Sequence, residues 1–91
     1  MQSREKTRHS TRQALEEVLA DKEKMLAASR SVGNSGQQRA WLRKMGYEGV
    51  NVAGYSQTVP LSTAPKENVY GFYMAKKKEL EAEVQRLRQH R

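Results

Sequence analysis

Cysteine and isoleucine are absent from this chain of 91 residues, which has one phenylalanine, one tryptophan and two prolines. Each shortage excludes something. Without thiols there is no disulfide framework, no thiolate zinc site and no cysteine nucleophile, which fits a reducing compartment. No apolar run approaches the ~20 residues that cross a bilayer, and the N-terminus lacks the apolar centre of a signal peptide. Cytoplasm or nucleus is the expected location. The apolar fraction of 36% is low for a self-sufficient core. At this length burial and chain entropy nearly cancel. Help from a protein partner or a second copy is therefore expected.

One stretch lacks charge altogether. Seventeen consecutive residues, Gly49 to Pro65, carry none, while Lys, Arg and Glu crowd the rest. A free linker would look like Gly/Ser or charged polymer. This one holds Val, Tyr and Leu, so it is expected to lie against the protein's own helices or a partner.

What is present is positive charge. The net charge is +7. Residues 1–13 hold four bases against one acid, and residues 66–91 hold seven against four. Residues 37–48 hold three against one, and residues 14–36 are slightly acidic. Such a field favours an acidic partner, either a protein surface or a nucleic acid.

Local patterns predict an all-α fold. Residues 1–9 are polar and basic and read as a flexible tail. Ser10 with Gln13 has capping-box spacing. Leu15, Val18, Leu19, Met25, Leu26 and Val32 then recur at helical intervals, and Gly33 can close the helix in a left-handed conformation. Ser35 with Gln38 repeats the capping spacing and opens a short helix over 37–45. Gly46 should stop it, with Tyr47 in the place a Schellman motif gives its apolar contact to Leu42. Residues 10–46 thus read as an αα-hairpin. Residues 47–64 read as an ordered, irregular connector, with Val50 and Val52 in a short extended piece. The string Val52–Val59 superficially resembles the turn and early recognition helix of a helix-turn-helix, but the match is poor, because Pro60 would break that helix after its first turn.

The last helix, 65–91, should begin between Thr63 and Lys66 with Pro65 in its first turn. Tyr70, Tyr73, Lys77, Leu80, Val84 and Leu87 alternate by three and four, a coiled-coil-like heptad seam. This seam could dock on a partner helix or fold back on the first helix, since both bury the same stripe. Lys77–Glu81, Lys76–Glu79 and Glu83–Arg86 have the spacing of intrahelical ion pairs.

No catalytic apparatus assembles. His9 and His90 lie near the ends, no nucleophile has a base beside it, and no glycine-rich phosphate loop is present. No cofactor, metal or small-molecule substrate is expected. The reading is a non-enzymatic interaction or assembly protein. Its candidate contact residues are Tyr70, Tyr73, Lys77, Leu80, Val84 and Leu87, with Tyr55 and Val59 from the connector. Arg4, Arg8, Arg12, Arg39, Arg43 and Lys76, Lys77 and Lys78 would steer it to an acidic partner. The alternative is a small, dimeric, basic nucleic-acid-binding regulator that holds mainly phosphates.

Overall fold

A computed structural model describes the backbone of residues 2–51 and 58–89 and the side chains of residues 12–51 and 58–89. The chain is mostly helical, as its composition and periodicity predict. Helix α1 spans Gln2–Ala28 and passes into a single 3-10 turn, Ser29–Ser31. Helix α2 (Ser35–Lys44), strands β1 (Gly49–Asn51) and β2 (Thr58–Pro60) and helix α3 (Lys66–Gln89) follow.

The first helix departs from expectation at both ends. It begins at Gln2, not near Ser10. Nothing between Gln2 and Ala28 breaks a helix, for the segment contains neither glycine nor proline. A serine caps a helix only where its own backbone is non-helical, and Ser10 is within the helix. The exit does not use a left-handed Gly33. Gly46 alone among the described residues has a positive φ. The Ser29 hydroxyl donates to the Leu26 carbonyl, the last turn tightens, and Val32 turns extended.

Helix α2 is capped one residue earlier than its serine suggests. The Asn34 side chain accepts from the Gln37 amide at 2.9 Å. The Gln37 side chain accepts from the Gly33 amide at 2.6 Å. The far end is a Schellman motif: Tyr47 N–H donates to the Leu42 carbonyl, and Gly46 N–H to that of Arg43, both at 3.0 Å. Gly46 has φ 98°, a conformation that costs a residue with a Cβ roughly 1–2 kcal/mol.

The connector holds regular structure that the sequence reading left irregular. β1 and β2 pair antiparallel, with Gly49 opposite Pro60, Val50 opposite Val59 and Asn51 opposite Thr58. Leu61 N–H extends the ladder to the Glu48 carbonyl at 3.1 Å. Pro60 fits because it stands at a strand end, where its missing donor leaves no ladder bond unmade. Val50, Leu61 and Ala64 are buried and join the main core. The uncharged stretch is apolar at these positions because it lines the interior of its own fold.

Both α1 and α2 pack against α3. Leu19, Trp41, Leu42, Val50, Leu61, Ala64, Val69, Tyr73, Leu80 and Val84 form one buried cluster. α1 and α3 run in opposite directions, as the pairs Lys22–Glu83 and Ser29–Tyr73 require.

Candidate interaction surface

The aromatic side chains fix how the helices meet. Trp41 is buried, and its Nε1–H donates to the Met25 carbonyl at 2.8 Å. Tyr73 stands edge-on to Trp41 at 5.2 Å between ring centres, a favoured aromatic geometry. Its hydroxyl donates to the Ser29 carbonyl at 3.0 Å. One indole and one phenol thus tie α2 and α3 to the end of α1. A second edge-on pair, Tyr47 and Phe72 at 5.3 Å, lies beneath the Lys76 ammonium. That ammonium is 5.3 Å from the Tyr47 ring and 5.1 Å from the Phe72 ring.

These contacts sort the residues expected to bind partners. Tyr73, Leu80 and Val84 are buried within the chain, and Leu87 packs on the same core. Part of the α3 stripe thus packs inside its own chain. Tyr70 is exposed at 54% because it points away from α1 and α2. Val59 is half-buried beside the core, while Tyr55 lies outside the described residues.

The steering cations divide in the same way. The Arg39 guanidinium turns inward and donates to the Ala64 carbonyl at 2.9 Å, bracing α2 against the turn before α3. Its Nε is buried without a partner. Lys76 bonds Glu79 at 2.9 Å. The hydrogen bond to Glu79 holds its pKa above the ordinary lysine value of 10.5, against the opposing pull of burial. Its charge is thus engaged within the chain by Glu79 and the two rings. Arg12, Arg43 and Lys78 are exposed, and Lys77 is half-buried. The side chains of Arg4 and Arg8 lie outside the described residues.

Two ion pairs clasp α1 to α3: Lys22–Glu83 at 3.0 Å and Glu23–Arg88 at 2.7 Å. Glu83 thus serves Lys22 and not Arg86. Lys77–Glu81 does not form among the described residues, whereas Lys76–Glu79 does.

The surface that remains free is one that periodicity assigned to the core. Every residue from Arg12 to Val18 is exposed. Leu15 is 50% exposed and Val18 41%. Lys22 faces Glu83 and Glu23 faces Arg88, so Leu15, two turns earlier, falls at or past Gln89, the last described residue of α3. No sequence signal marks this, because a helical stripe does not say how far its neighbour extends.

No protein-family model, curated protein or solved structure matches the chain.

Proposed function

We propose that the protein is a non-enzymatic interaction module that docks on an acidic partner through the exposed stretch Arg12–Val18 of α1. In this reading α2 and the β-hairpin brace a helical hairpin, and α1 and α3 form an antiparallel coiled-coil pair within the chain. The observation that carries the reading is the exposed run Arg12–Val18, which itself holds Glu16 and Glu17 beside Arg12 and is preceded by the bases Arg4, Lys6 and Arg8. A lone helical segment this short is marginal in water, and a covering partner would stabilise it. Leu15 and Val18 would supply apolar contact, and the basic residues would attract and orient the partner.

The second reading, nucleic-acid binding, draws on the same basic residues but has no use for Leu15 and Val18. Titrating the chain with poly-glutamate and with duplex DNA over a series of salt concentrations separates the two. The proposal expects poly-glutamate to bind, and the double variant Leu15→Glu, Val18→Glu to bind it less well at unchanged helix content. Binding of DNA alone would favour the second reading. No binding of either polymer at low salt would remove both.

A further inference from the structure

We infer that the groove between the end of α1 and the middle of α3 seats an acidic peptide segment bearing an apolar side chain, contributed by a partner protein. The inference rests on the reading above that the partner is acidic. It adds a second place of contact and the kind of segment that fits there.

The groove encloses about 560 Å³. Leu26 and Arg30 line it from the α1 side, and Lys77, Lys78, Val84 and Gln85 from α3. Among the described residues, Arg30, Lys77 and Lys78 have no ion-pair partner, whereas Lys22, Lys76 and Arg88 each hold an acid. Glu81 is the one carboxylate on the lining. Arg88 also reaches the wall, but Glu23 neutralises it. Three free cations thus converge on a hollow with one acid, an arrangement that favours an anionic occupant.

Apolar surface adjoins this charge. A second hollow, lined by Met74 and Ala75, shares Lys77, Lys78 and Glu81 with the groove. Met74 is 41% exposed, and Tyr70, one turn earlier on α3, is 54% exposed. A phosphate backbone would use the lysines and leave the Met74 thioether unmatched. An acidic peptide with an apolar side chain matches both, because thioether and phenol surfaces accept an aliphatic or aromatic anchor.

The wall beside Arg30 is already in place. Ser29 is buried, its carbonyl accepts from Tyr73, and its hydroxyl bonds the Leu26 carbonyl. Little of this wall needs ordering on binding, which lowers the entropy cost of association.

The test uses the full chain, isotope-labelled, and a short synthetic peptide of glutamates with leucine at every fourth position. Amide shifts should appear at Arg30, Met74, Lys77 and Lys78. Replacing the peptide's leucines with serine should weaken binding about tenfold, the value of burying one such side chain. The double variant Lys77→Glu, Lys78→Glu should weaken it by at least about tenfold, since two attractions become repulsions. Arg30→Glu, on the opposite wall, should act in the same direction should the lysine variant lose helix content. Shifts confined to Arg12–Val18, with both charge variants binding like wild type, would overturn the groove and leave the acidic-partner reading standing. Equal affinity for the serine peptide would overturn the apolar anchor. A duplex DNA oligomer that displaces the peptide and shifts the same amides more tightly would overturn the peptide in favour of nucleic acid. No binding of the peptide at low salt would overturn both inferences.

Discussion

Gly71 is a residue whose local cost has no structural return. It sits inside α3, and a Cβ built on it meets nothing within 4 Å. Glycine in a helix interior costs about 1 kcal/mol relative to alanine. Gly71→Ala should therefore raise stability by about that amount, seen as a higher urea midpoint at unchanged slope. Gly49 is the opposite case. A Cβ there would collide with the Thr58 methyl and lie 2.8 Å from the Val59 carbonyl oxygen. Gly49→Ala should destabilise the chain by about 1–3 kcal/mol through overpacking. The same change should speed hydrogen exchange at the Leu61 amide, which bonds Glu48 across the hairpin. Sequence marks both positions only as glycine. Whether a neighbouring backbone approaches is a tertiary fact.

At the scale of elements, helix ends were legible where they depend on the chain alone. Gly46 followed by Tyr47 closes α2 as read, since φ and two backbone bonds within one turn decide the outcome. Pro65 before α3 behaves likewise: its carbonyl accepts the first helical bond, from Val69 at 3.0 Å. Signals that compete with surrounding structure were less decisive. The capping pattern at Ser10 lost to an uninterrupted helix from Gln2. The left-handed exit at Gly33 lost to a 3-10 turn secured by Ser29 and Tyr73, residues 44 apart. The hairpin was hidden because each strand is three residues long, too short for alternation to stand out.

For the whole molecule, extension matters as much as packing. The radius of gyration is 16.4 Å, against about 12 Å for a compact chain of this length. The longest dimension is 51 Å. A core this small leaves little margin. Leu80, 1% exposed where α3 meets α1, should cost about 2–5 kcal/mol when replaced by alanine. Leu15→Gln, at an exposed position of α1, should change stability by no more than about 0.5 kcal/mol. Thermal melts of the two variants measure the contrast. Equal losses would mean that Leu15 is packed and that Arg12–Val18 is not a free surface.

Sequence by itself determined the helical class, the close of α2 at Gly46, the start of α3 beside Pro65 and the concentration of positive charge. These follow from backbone dihedrals and from side-chain spacing within single turns, which a chain carries wherever it folds. Only the tertiary structure decided that Tyr73, Leu80 and Val84 pack inside the chain, that Arg39 turns inward, that Leu15 and Val18 are exposed, and that Arg30 joins Lys77 and Lys78 at one groove. Each of these depends on where one helix ends beside another. That position is set by the pairing of Trp41 and Tyr73 with the end of α1, between residues far apart in sequence.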